Sequence, residues 1–68
     1  MQLTIVHGEN LVTVQVDENM SLETLKAILE AETNIPAGRQ FLLLGTNPLR
    51  DNNAVLSACG INDGDVLQ

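Results

Sequence analysis

His7 is the only histidine of the chain and Cys59 the only cysteine. A protein metal site needs several nitrogen, sulfur or oxygen ligands converging on one ion, and no second His or Cys stands at ligand spacing from either residue. His7 also lacks a paired nucleophile that it could serve as a base, and in His7-Gly8-Glu9-Asn10 it reads as a turn residue. Cys59 has no adjacent histidine or basic side chain to favour its thiolate, so it reads as a small packing residue. Asp63-Gly64-Asp65 sets two carboxylates close together, but a calcium loop needs more oxygen ligands at fixed spacing, and a tight turn is the better account. Neither Asp-Thr-Gly nor Asp-Ser-Gly, the triplets of aspartic proteases, occurs. Asn19-Met20-Ser21 has the form of a glycosylation acceptor, which a chain without a secretory signal leaves unused. No catalytic residue, metal or cofactor is therefore expected.

The informative stretch is Gln40-Phe41-Leu42-Leu43-Leu44-Gly45. Successive strand residues point to opposite faces, so a strand packed on one side cannot bury all of these side chains. If Leu42 enters the core, Phe41 and Leu43 look outward. Exposed apolar neighbours on so small a chain suggest a docking surface.

Composition agrees. Sixty-eight residues with nine acidic and three basic side chains carry a net charge of −6, which opposes binding to nucleic-acid backbones. The apolar runs are far shorter than the roughly 20 residues of a membrane helix. The start of the chain has no basic region or cleavage site of a secretory signal, and a lone cysteine fits a reducing compartment. A cytoplasmic and in part nuclear location, without membrane association, is expected.

Met1–Val6 and Leu11–Val16 alternate and are rich in β-branched residues, which predicts a hairpin. Met1, Leu3 and Ile5 face inward on the first strand, and Val12, Val14 and Val16 on the second. Ser21 can cap a helix over Leu22–Ala31 with Leu22, Leu25, Ile28 and Leu29 as its apolar stripe and Glu23 and Glu30 on the wet side. Asn34 and Pro36 end it. A third strand over Gln40–Leu44, a turn at Gly45–Pro48, a short extended piece at Leu49, a helical turn at Leu56–Cys59 closed by Gly60, and a last strand beginning Val66-Leu67 complete the order. One helix on one face of a mixed sheet is an α+β roll forming a single unit over 1–68.

In that order Met1-Gln2-Leu3-Thr4-Ile5, Asn34-Ile35-Pro36, Leu42-Leu43-Leu44-Gly45, Leu49, Asp51, Leu56 and Ile61 resemble ubiquitin and the ubiquitin-like domains over the whole chain. Within them, Asn47-Pro48-Leu49-Arg50-Asp51-Asn52 with Gly60-Ile61 and Asp63-Gly64-Asp65-Val66 looks most like the amino-terminal domain of the DNA-damage-inducible protein 1 family. The resemblance implies a β-grasp fold of four to five strands, no catalysis in this part, and a role in a proteasomal shuttle whose retroviral-type aspartic protease domain lies elsewhere. A conjugated modifier ends in Gly-Gly, whereas this sequence ends Val66-Leu67-Gln68.

The resemblance centres a partner-binding patch on Leu43 with Phe41 beside it, and Val6, His7, Thr46, Asn47 and Gln68 as its rim. Positions that are basic around the aliphatic centre of ubiquitin correspond to Val6, Phe41 and Asn47, so the patch has lost positive charge and favours apolar contacts over acidic helices. Proteasome receptor subunits, ubiquitin or ubiquitin-binding helices are the expected partners of a monomeric domain. A second face, with Asp17, Glu18, Glu23, Glu30 and Glu32, could instead attract the basic rim of ubiquitin itself. A third possibility has the outward leucines regulating an attached protease. Lys26, the only lysine, is expected to pair with Asp51 or, alternatively, to accept ubiquitin.

Overall fold

The computed structural model describes residues 1–68. Strands β1 (Gln2–His7) and β2 (Asn10–Gln15) form an antiparallel hairpin in which Leu3 faces Val14 and Ile5 faces Val12. The strands run one residue further into the turn than their alternation predicts, leaving Gly8-Glu9 as a two-residue loop. Gly8 has φ +60° there, a conformation that costs glycine little.

Helix α1 spans Leu22–Thr33, two residues beyond the expected end. Ser21 is its N-cap: the Thr24 amide donates to Ser21 Oγ at 3.2 Å, and the two hydroxyls lie 3.0 Å apart. The amides of Leu22 and Glu23, which no helical turn can satisfy, donate to the carbonyls of Ala54 and Asn52. Asn34 closes the helix in the left-handed conformation, at φ 61°.

A 3-10 turn over Ala37–Arg39 leads to β3, which is shorter than expected, Leu42–Leu44 rather than Gln40–Leu44. Gln40 is held elsewhere: its Nε2 donates to the carbonyls of Lys26 and Ile35 at 2.8 and 3.1 Å, tying this segment to the helix. β4 covers Asn47–Leu49, so the expected turn narrows to Gly45-Thr46 and Pro48 sits inside a strand. β4 is the sheet's edge, where a residue without an N–H is tolerated. A 3-10 turn at Leu56–Cys59 is closed by Gly60 at φ 81°, and β5 is Val66–Leu67.

The sheet has the order β2-β1-β5-β3-β4, with β5 parallel to β1 and antiparallel to β3. One face carries Leu3, Ile5, Val14, Leu42, Leu49 and Leu67 into a twelve-residue aliphatic core completed by Val16, by Leu22, Leu25 and Leu29 of the helix, and by Leu56 and Ile61. Leu44, whose direction the sequence leaves open, stands opposite Leu67 and packs partly into that core. No helix is long and apolar enough to cross a membrane.

Lys26 departs from the expected pairing with Asp51. It is buried at 9% exposure, and its Nζ donates to Asn52 Oδ1 at 3.0 Å, while Asp51 Oδ1 accepts from the Asn53 amide at 3.0 Å. The helix is joined to the loop by a charge-assisted hydrogen bond rather than by the Asp51 ion pair. With 9% of the residue exposed, Lys26 offers little surface to an incoming acyl group.

Candidate docking face

The five strands contain no Asp, Glu, Lys or Arg. On a chain with twelve such residues, this leaves a sheet whose outward face is neutral. Alternation decides which side chains occupy it. With Leu42 and Ile5 buried, Leu43 and Val6 point outward, each half-buried by its neighbours. The Leu43 amide donates to the Gln68 carbonyl at 2.9 Å and the Gln68 amide to the Leu43 carbonyl at 3.0 Å. That closed pair sets their side chains next to each other. Continuing the parallel register of Thr4 with Val66 and Ile5 with Leu67 places Val6 on the other side of Gln68.

The expected patch is assembled only in part. Leu43, Val6 and Gln68 share the outward face. Phe41 lies just before β3 and is 87% exposed. It also borders a groove of about 160 Å3, lined by Ile5, His7, Leu29, Ile35 and Leu42 among others. His7 belongs to the last position of β1 rather than to the turn. Asn47 pairs with Leu44 and therefore lies on the inner side of the edge, and Thr46 is in the turn.

Three outward residues were not singled out by their sequence. Leu11 stands opposite Val6 and is 71% exposed, Pro48 stands opposite Leu43, and Val66 beside Thr4 is 50% exposed. The signal for Leu11 was present in the alternation of β2, but its neighbours emerge only from the cross-strand register.

The acidic residues all lie outside the strands. Glu23 and Glu30 are two turns apart and share a stripe of the helix, whereas Glu32 lies roughly 180° around from Glu23. Asp17 and Glu18 sit in the loop before the helix, with Asp17 Oδ1 accepting from the Asn19 amide at 2.8 Å. Glu30 Oε1 is engaged by the Ala37 amide at 2.8 Å. The five do not converge on one spot. Asp63 and Asp65 serve their turn, accepting from the amides of Gln2 and Asn62 at 2.6 and 2.7 Å. Burial, and then the nearby negative charge of Asp51, push the Cys59 thiol up. A nucleophile needs the reverse.

A mixed five-stranded sheet folded over one helix, with a neutral aliphatic outer face, defines a β-grasp interaction fold. The Ubiquitin family model matches residues 3–68, and the chain belongs to that family, whose fold is non-catalytic. At finer grain it is similar to "Protein DNA-DAMAGE INDUCIBLE 1" of Arabidopsis thaliana, 40% identical over 98% of this chain and 16% of that protein. It is also similar to "Protein DDI1 homolog 2" of Homo sapiens, 36% identical over 81% of this chain and 14% of that protein. The chain thus spans about a sixth of the curated relatives it matches. The solved ubiquitin-like domain of an Arabidopsis thaliana protein superposes with a TM-score of 0.93 at 24% identity, covering 98% of this chain and 71% of that one. That likeness carries the fold.

Proposed function

We propose that residues 1–68 are the ubiquitin-like interaction domain of a longer shuttle factor of the DNA-damage-inducible 1 type, working in the cytoplasm and nucleus. The domain docks, as a monomer, to proteasome receptor subunits or ubiquitin-binding helices through the aliphatic patch centred on Leu43. The observation that carries this reading is the neutral outer sheet face that bears Leu43, on a molecule whose nine acidic residues all lie outside the strands. Burying one such side chain in a complex contributes on the order of 1.5–3 kcal/mol, which suits reversible binding from a few anchors.

Leu43→Asp tests it. The side chain is outward, so the substitution leaves the core intact, and titration against a proteasomal ubiquitin receptor is expected to show binding lost with an unchanged unfolding midpoint. Unchanged affinity would overturn the reading.

A second reading has the acidic stripe of Glu23 and Glu30 attracting the basic rim of ubiquitin. Since Glu30 also holds the Ala37 amide, Glu23→Lys is the cleaner probe, and affinity that falls with added salt would favour this version. Regulation of an attached protease domain would show as altered proteolysis when residues 1–68 are removed.

A further inference from the structure

The two edges of the sheet differ. β4 is three residues long and holds Pro48, which has no N–H to offer and blunts that edge. β2, at the other edge, is six residues long with no proline and no charge. The amino group of Met1 donates to the Val16 carbonyl at 2.6 Å and the Val16 amide to the Met1 carbonyl at 2.8 Å. Bonded pairs alternate along an antiparallel ladder, so Val14, Val12 and Asn10 turn their backbone groups to β1, whereas Leu11, Thr13 and Gln15 turn theirs away. The N–H and C=O groups of those three residues line an open edge.

The core is thinly covered on the same flank. Val12 on β2, Met1 and Met20 near its end, and Ile28 are only partly buried against the core. Ile28 lies about 200° around the helix from Lys26. Since Lys26 reaches the loop after β4, Ile28 lies on the flank toward β2. Acidic side chains bracket the strand, Glu9 before it and Asp17 and Glu18 after it. At that second end a shallow recess is lined by Met1, Gln15, Val16, Asp17, Glu18 and Met20. Thioethers beside carboxylates suit the apolar stem and charged head of a lysine or arginine.

We propose that the free edge of β2 receives an extended segment of a partner protein as a sixth strand. Its backbone pairs with Leu11, Thr13 and Gln15, its inward side chains are aliphatic and cover Val12 and Ile28, and basic residues flank it at both ends. Main-chain bonds hold such a segment, and the side chains select it. β1 separates this edge from Gln68 and Leu43, so the site is distinct from the Leu43 patch and both can be filled at once. A second copy of the chain is the poorer occupant. Symmetric antiparallel pairing about Thr13 would set Glu9 opposite Asp17 of the other copy, between bodies that each carry −6.

The probe is a synthetic peptide of about nine residues, valine and threonine alternating at its centre and lysines at both ends, followed by calorimetry and amide hydrogen exchange. Exchange at Leu11, Thr13 and Gln15 is expected to slow, while the amide signals of Leu43 and Gln68 stay in place. Methylating one alternating set of the peptide's backbone nitrogens should weaken binding at least about tenfold and methylating the other set should not, a comparison that leaves the domain untouched. Glu9→Lys with Glu18→Lys should lower the affinity about three- to tenfold and flatten its salt dependence. Failure of the peptide to bind overturns the proposal, as does equal tolerance or equal loss with the two methylated sets. Dimers of the free domain with these same amides protected would give the edge to a second copy and overturn it too. Movement of Leu43 and Gln68 with the β2 amides unchanged overturns the edge site and leaves the Leu43 patch standing.

Discussion

Removing the side chain of Asn52 should destabilise the domain more than removing the charge of Lys26. Lys26 is 9% exposed, and its ammonium donates to Asn52 Oδ1 in the loop after β4. Asn52→Ala keeps the backbone carbonyl that receives the Glu23 amide, so the perturbation is confined to the lost acceptor. A hydrogen bond to a charged group contributes about 1.5–3 kcal/mol, and leaving the charge buried without it forfeits that much. In a chain of this size each kcal/mol moves the thermal midpoint by about 4–8 °C, so the expected fall is roughly 6–24 °C. Lys26→Met keeps the apolar stem in place and removes the charge, while Asn52, exposed, turns its amide to water. Its cost should stay below about 1 kcal/mol. The double variant should resemble Lys26→Met alone, giving a coupling equal to the Asn52→Ala cost, about 1.5–3 kcal/mol, in a cycle of urea or thermal melts followed by circular dichroism. The reasoning fails if Asn52→Ala costs less than about 0.5 kcal/mol, or if Lys26→Met costs as much as Asn52→Ala.

Further outcomes follow from other local features. Ser21→Ala removes the acceptor of the Thr24 amide and should cost about 1 kcal/mol, read in the same melts. Gly45 holds φ +64° with open space around it, so Gly45→Ala should cost more than about 1 kcal/mol from the backbone alone, and Gly45→Asn less. Because the Cys59 thiol is pushed up in the folded state, its contribution is complete below the pH at which the unfolded thiol ionises. That contribution is lost as pH rises through the folded value. Unfolding midpoints measured from neutral to about pH 10 should decline less in Cys59→Ala than in the parent, and iodoacetamide should alkylate the native thiol more slowly than the unfolded one.

The elements that were legible in the sequence are those fixed by short-range chemistry. The β1–β2 alternation, the Ser21 and Asn34 caps, the leucine spacing of the helix and the Gly60 stop each depend on residues within a few positions of one another. The outward direction of Leu43 needed only the inward direction of Leu42. What escaped depends on contacts between distant segments. Lys26 meets Asn52 rather than its neighbour Asp51 because Asp51 turns back to cap its own loop. Gln40 leaves the third strand because carbonyls of the helix and of Ile35 compete for its amide. Leu11 and Pro48 join the docking face only through strand pairing. Glu32 reads as part of one acidic face until the helix carries it to the other flank.

The strand translated last of the five lies third across the sheet, with Val66, Leu67 and the adjoining Gln68 bridging β1 and β3. A nascent chain therefore holds two half-sheets with open edges until those residues leave the ribosome, however early the β1–β2 hairpin and the helix form. Closure at β1 joins segments about sixty positions apart, a long-range pairing whose loop entropy must be met before any contact rewards it. Folding during synthesis should consequently be a single late event, and the window before it is when chaperones or proteases meet the chain.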